Sequence, residues 1–314
     1  MSLLESPLSV EREDRRDLKA RVIRTLELLR DWGQATTPEQ LAAGLLGGGV
    51  EHDPLLSLLE TMDGIVLADG IVGLEGSADL IPKTRGRLAT HSALESEYLE
   101  VAEEFTEEFL RWCPLAYSVA LSGSLSNGGF DEGDDIDFDL IVRPGTRYVA
   151  YLLATLVGLR YAWRYRNREL HSVHKTPVLP KITCVNVVWS EDQARPFARQ
   201  DVNLAYELMR CRPLHGASHF ESILRDNLWV SDYFPQLLER RATSQVAPDP
   251  NPFGRFLLSL VNAPRLLRVV DGMCRGLSWM IYQFVQWTRR HNPEARARME
   301  YLRRVKYPYE VFQD

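Results

Sequence analysis

Three carboxylates alternate with apolar residues in the run Asp135-Ile136-Asp137-Phe138-Asp139-Leu140-Ile141-Val142. On a β-strand successive side chains face opposite ways, so Asp135, Asp137 and Asp139 share one face while Ile136, Phe138 and Leu140 turn into a core. Like charges in a row on one face repel, and the arrangement is costly unless cations sit among them. A pair of Mg²⁺ ions, which favour carboxylate and phosphate oxygens together, would relieve it. Ten residues upstream, Gly123-Ser124 closes a short β-rich run, Tyr117 to Leu121. Glycine there lets the backbone turn sharply and a ligand come close, and the loop N–H groups with the Ser124 hydroxyl can cradle a phosphate. A solvated acidic turn would account for Asp131, Glu132, Asp134 and Asp135, but not for Asp137 and Asp139, which lie inside the apolar run.

This constellation of Gly-Ser, ten residues, then Asp-Ile-Asp-Phe resembles the signature of the polymerase-beta-type nucleotidyltransferase superfamily, h-G-[GS]…D-h-[DE]-h. The resemblance covers about Ser118 to Trp189. It extends to the flanking order of helix, strand, Gly-Ser, strand, helix, strand, and to bacterial proteins that place a winged-helix module before such a domain. It implies that Gly123 and Ser124 hold the triphosphate of an NTP and that Asp135 and Asp137 bind two Mg²⁺ ions. Transfer of a nucleoside monophosphate to a hydroxyl would follow, by positioning and charge neutralisation. Relatives take a third carboxylate from the later strand, whereas the inward candidate here, in Ile182 to Trp189, is Asn186. Asp139 is the expected substitute. Pairing Asp137 with Asp139 is the alternative register, and Asp135 with Asp137 is preferred. An RNA end, a protein side chain or a small molecule such as an aminoglycoside would each serve as acceptor. A noncatalytic nucleotide-sensing or interaction module on the same fold is the competing reading, favoured by Asn186.

From Arg160 to Lys181 six bases stand against Glu169 alone, interleaved with aromatics. They make either a patch for triphosphate or nucleic acid or a basic face that balances nearby acids. Lys181, just ahead of the third strand, is the expected phosphate contact. His171 and His174 lack a third ligand nearby in sequence and read as surface histidines. Cys184, within a strand, reads as core. The bases from Arg289 to Lys306 read as a solvated helix face.

The elements that must position the site follow from patterning. The 314 residues suit two or three domains. The expected architecture is mixed α/β (α+β), with a small mixed sheet flanked by helices in residues 90–245, a winged-helix-like module in 1–80 and a C-terminal helical segment in 250–314. In the first part, apolar spacing predicts a helix over Glu13 to Trp32. Thr37-Pro38 starts a second helix that runs to Leu46, and Pro54 to Met62 gives a third. Asp69-Gly70 between Ile65–Ala68 and Ile71–Leu74 signals a hairpin. Eight acids and no Lys or Arg between Thr37 and Leu80 argue against DNA binding by this module, because phosphates must be neutralised by cations. Ser77 to Leu88 reads as a connector, and Ala93 to Trp112 as a long acidic helix. Later helices are expected at Tyr148–Trp163, Val202–Cys211, Ser218–Leu228, Phe253–Val261 and Leu266–Trp287. The stretch Leu277 to Trp287 falls short of the roughly 20 apolar residues of a membrane span and reads as a buried helix, so no membrane partner is expected. Four scattered cysteines without a C-x-x-C pair and a start without a secretory signal predict a reduced, cytoplasmic setting.

Overall fold

A computed structural model describes residues 7–168, 181–239 and 247–293, with 296, 297 and 300 beyond them. It is a mixed α/β chain with one two-stranded and one four-stranded sheet among these residues, and it divides into two compact units.

The first unit comprises Met1–Ala89, Arg199–Met209 and Leu228–Arg240. Its helices run Pro7–Asp31, Pro38–Ala43 and His52–Leu59, followed by β1 (Ile65–Ala68) and β2 (Ile71–Leu74). Thr37 caps the second helix by accepting the Gln40 N–H at 3.2 Å, with Pro38 in the first turn, where a missing N–H costs nothing. That helix stops at Ala43, short of the expected Leu46, because Gly44 breaks off the turn. The hairpin forms as expected, with positive φ at both Asp69 (52°) and Gly70 (73°), the twist that a two-residue loop requires. Thr36 bridges Val72 on its outer side. The later stretches close this unit's core: the Trp32 indole donates to Asn203 at 3.1 Å and its ring meets Tyr206 edge-on.

The connector expected at Ser77 to Leu88 is instead the start of a helix that runs Leu80–Trp112. Pro82 is its third residue, where the N–H has no helical partner to lose. Gly86 faces open space and is tolerated at the cost of some helix propensity.

The second unit comprises Thr90–Ala198, Arg210–Asn227 and Arg241–Asp314. Its sheet holds β3 (Ala116–Ser122), β4 (Ile136–Val142), β5 (Thr183–Ser190) and β6 (Arg212–His215) in the order β5-β4-β3-β6. β4 runs antiparallel to β3 and parallel to β5, and β6 joins β3 antiparallel. Beneath the sheet Phe138 stacks on Phe105 at 4.5 Å, and Phe105 meets Tyr161 of the helix Arg147–Arg164 at 5.6 Å. β6 was not expected from the sequence. It is four residues long and carries Pro213, which only an edge strand accepts.

Helices Pro252–Leu260 and Pro264–Arg289 complete this unit. The second sets Leu267, Cys274 and Ser278 against the unit's core, and Asp271 accepts the N–H groups of Tyr148 (2.8 Å) and Val149 (2.9 Å) at the start of helix Arg147–Arg164. The expectation that Leu277 to Trp287 is buried does not hold. Ser278 is 1% exposed, but Met280, Phe284 and Trp287 are each more than half exposed, because the helix rests on one face only. No helix among the described residues is long and apolar enough to cross a membrane.

Candidate functional site

The site forms where β3 ends. Ser122 pairs with Asp137 across the antiparallel ladder. The chain then turns at Gly123, with φ +64°, into the short helix Gly123–Ser126. A side chain at 123 would meet two obstacles. The left-handed backbone disfavours it, and a Cβ there would strike the Asp137 carboxylate, its Cγ lying 2.9 Å away. Glycine therefore lets the loop close directly on Asp137. The Ser124 carbonyl accepts the N–H groups of Asn127 and Gly129, at 3.2 and 3.0 Å. Ser126 donates to the Arg210 carbonyl, and Arg210 donates back to the Asn127 carbonyl at 2.6 Å. These bonds fix the loop that the sequence assigned to phosphate.

The parallel register of β4 and β5 builds the other wall. The Ile136 N–H donates to the Ile182 carbonyl at 2.8 Å, which brings Lys181 beside Asp135. Their ion pair measures 2.9 Å, with the Asp135 side chain 5% exposed and that of Lys181 35% exposed. Burial works against the Lys181 charge, yet Asp135 foremost, with Cys184 and Asp137, holds its pKa above the ordinary lysine value. Lys181, expected as a phosphate contact, is therefore engaged with a site carboxylate. Cys184 pairs with Asp137 in the same register and thus shares its face, contrary to its reading as core. Burial pushes the Cys184 thiol up to about 12, with Lys181 opposing, so it remains a protonated thiol.

Asp139 lies one pleat further in and is 2% exposed. Ser122 Oγ donates to one of its oxygens at 3.0 Å and Cys211 Sγ to the other at 3.4 Å. Burial raises its pKa to about 7, against the pull of those two hydrogen bonds. On β5 the register steps from Val185 to Val187 across Phe138 and Asp139, which leaves Asn186 as the extra residue of a bulge. The Asn186 amide reaches Ser122 Oγ at 3.5 Å, and its oxygen takes the Cys184 thiol at 3.4 Å. Asn186 is thus on the site side, as its position in the strand implied.

Among the described residues, the group whose ligand atoms converge is Asp135, Asp137 and Cys184, all within 4.8 Å of one another. Asp139 is not in it. The donor set can serve a hard divalent cation through its two carboxylate oxygens, which such a cation prefers to the soft Cys184 sulfur. Lys181 is paired with Asp135 in this arrangement, and the Arg168 guanidinium adds a second positive charge acting on that carboxylate. With Lys181→Met, we expect a lower Tm in chelator and a larger Tm gain on adding Mg²⁺ than the wild type shows, since a buried carboxylate then loses the ammonium 2.9 Å away. Equal gains in the two proteins would mean that the ammonium and a metal do not share Asp135.

The basic stretch divides. Arg160 and Arg164 pair with Glu108 (2.6 Å) and Glu104 (2.7 Å), so these two balance acids of the long helix. Arg168 lies 4.4 Å over the Tyr98 ring and donates to the carbonyls of Glu132 (2.8 Å) and Asp134 (3.0 Å). It clamps the acidic loop that leads into β4, a role with no signature in the sequence. His171 and His174 lie outside the described residues, as does most of the basic run from Arg289 to Lys306. Ser122, Cys184, Cys211 and Arg168 are the site residues that sequence reasoning missed, because each depends on strand register or a distant contact. Compared with known proteins, the chain matches no family model, no curated protein and no solved structure.

Proposed function

We propose that this protein is a Mg²⁺-dependent nucleotidyltransferase that moves a nucleoside monophosphate from an NTP to a hydroxyl acceptor. The observation that carries the reading is the close approach of the glycine-turned loop at Gly123 to Asp137, whose carboxylate converges with that of Asp135. In this reading the backbone N–H groups and the hydroxyl at Gly123 and Ser124 hold the triphosphate. Asp135 and Asp137 hold divalent cations, which when bound supply charge neutralisation and lower the pKa of a coordinated hydroxyl. The acceptor oxygen attacks the α-phosphorus in line, its proton is lost to solvent, the bond to the bridging oxygen breaks, and pyrophosphate leaves. Asp139, held by Ser122 and Cys211, sets the strand beneath the two carboxylates. The nucleotidyltransferase fold and a winged-helix-like first unit belong to the same proposal, supported by the mixed sheet and by three helices followed by a hairpin.

The experiment is transfer from α-³²P-labelled NTPs to RNA, protein and small-molecule pools, with Mg²⁺ or with chelator. Labelled acceptor that disappears in chelator supports the reading. Absence of both transfer and Mg²⁺-dependent NTP binding overturns it. The second reading, nucleotide binding without transfer, draws on two observations: Lys181 already occupies Asp135, and Asn186 stands where relatives of the resembled superfamily carry a carboxylate. It predicts NTP binding with no labelled acceptor in any pool.

A further inference from the structure

The helix Pro264–Arg289 presents an apolar stripe that the core does not use. Val269, Met273, Leu277, Met280, Phe284 and Trp287 are between 45% and 71% exposed. At 3.6 residues per turn they fall within one arc of about 80°, well away from the face carrying Leu267, Cys274 and Ser278. Side chains of this size leave several hundred Å² of apolar surface in a single stripe, the scale at which an exposed patch marks an interaction site.

Charge decides what fits it. The whole chain carries a net charge of −6, yet residues 250–293 contain six arginines and one acid, Asp271. Asp271 is spent internally on the N–H groups of Tyr148 and Val149. Arg265, Arg268 and Arg290 are exposed and follow one another along the flank of the apolar stripe, as does Trp279, which is 51% exposed. The outward side of this helix therefore offers apolar, amide and cationic groups and no carboxylate. Two copies meeting stripe to stripe would bring like-charged flanks together, which opposes association. A nucleic acid would meet the arginines but leave the apolar stripe wet.

We infer that this helix lies on an anionic lipid surface, its stripe at the acyl boundary and its arginines among the headgroups. This adsorption is independent of the proposed nucleotide chemistry. It does not call for a spanning helix, because the helix rests in the plane of the interface, and no helix among the described residues is long and apolar enough to be one.

The test is sedimentation of the full chain with vesicles of phosphatidylcholine alone or with about a third phosphatidylglycerol. Partition into the anionic vesicles is expected to be at least about tenfold stronger and to weaken as salt is raised. The double variant Met280→Glu with Phe284→Glu is expected to lose about tenfold or more of that partition with an unchanged thermal melt, because both positions are exposed. Arg265→Gln with Arg268→Gln is expected to reduce the preference for anionic over neutral vesicles. Equal partition into both vesicle types, or undiminished binding by the glutamate variant, overturns the inference. So does a lipid-free dimer that the glutamate variant dissociates, since a second copy would then be what covers the stripe.

Discussion

Alanine in place of Asp137 is expected to lower nucleotide transfer about a hundred- to a thousandfold while leaving the protein folded, the scale at which removal of a charge-stabilising group acts. The Asp137 carboxylate is one of the two oxygen donors at the converging group and the side chain against which the Gly123 turn closes. Asp135→Ala should follow it, although its partner Lys181 then loses its counter-charge, so some loss of stability accompanies the loss of transfer. Gly123→Ala separates placement from charge. Both carboxylates remain, but the new Cβ must push Asp137 aside, and displacement of a reacting group by an ångström costs on the order of a hundredfold. Gly145→Ala is the control. Its φ is +77°, so the backbone strain is alike, yet the nearest atom to the added Cβ is a flexible Arg268 carbon at 3.7 Å. It should lower Tm by a comparable amount and leave transfer within a few-fold of wild type. If Gly145→Ala and Gly123→Ala reduce transfer equally, backbone strain and not the Asp137 contact sets activity.

The second large effect is on stability against pH. Asp139 has a folded-state pKa raised to about 7 by burial, against about 3.9 in an unfolded chain. Between those values the folded state binds more protons than the unfolded state, so stability falls as pH rises and levels off above the folded value. From pH 5 to pH 8 the wild type should lose on the order of 2–3 kcal/mol relative to Asp139→Asn, which is neutral throughout. Urea unfolding of both proteins in chelator, at several pH values, measures the difference directly. Parallel curves would mean that Asp139 is ionised and stabilised in the fold. The expected sign is opposite to that of a salt-bridged carboxylate, which makes the test a sharp one.

Sequence reasoning located the carboxylates, the glycine turn and the three longer strands because these are local patterns. Period-two alternation marks Ile136–Val142, and an Asp-Gly pair marks the first hairpin. It did not find β6, since four residues with a proline carry no periodicity. It missed that Cys184 faces Asp137, because a parallel pairing between distant strands has no signal in a single sequence. The place of Lys181 ahead of β5 is legible in the sequence, but its ion pair with Asp135 depends on the same register. The outward-facing Met280, Phe284 and Trp287 were expected to be buried on composition alone, and composition does not say which sides of a helix have neighbours. Arg168 is one base among several in the sequence, and its two carbonyl partners in the acidic loop come from residues more than thirty positions away.

The capping of one helix by a residue more than a hundred positions later has a practical corollary for anyone seeking a minimal stable fragment. Leu257, Leu260 and Leu267 fill the same apolar cluster as Phe105 and Phe138, and Asp271 satisfies two amides that would otherwise be orphaned. An expression boundary drawn within Ala247-Pro248-Asp249-Pro250-Asn251-Pro252 would remove all four, so the piece left behind should be recovered as insoluble or partly unfolded material. A boundary beyond residue 271 retains every one of these supports.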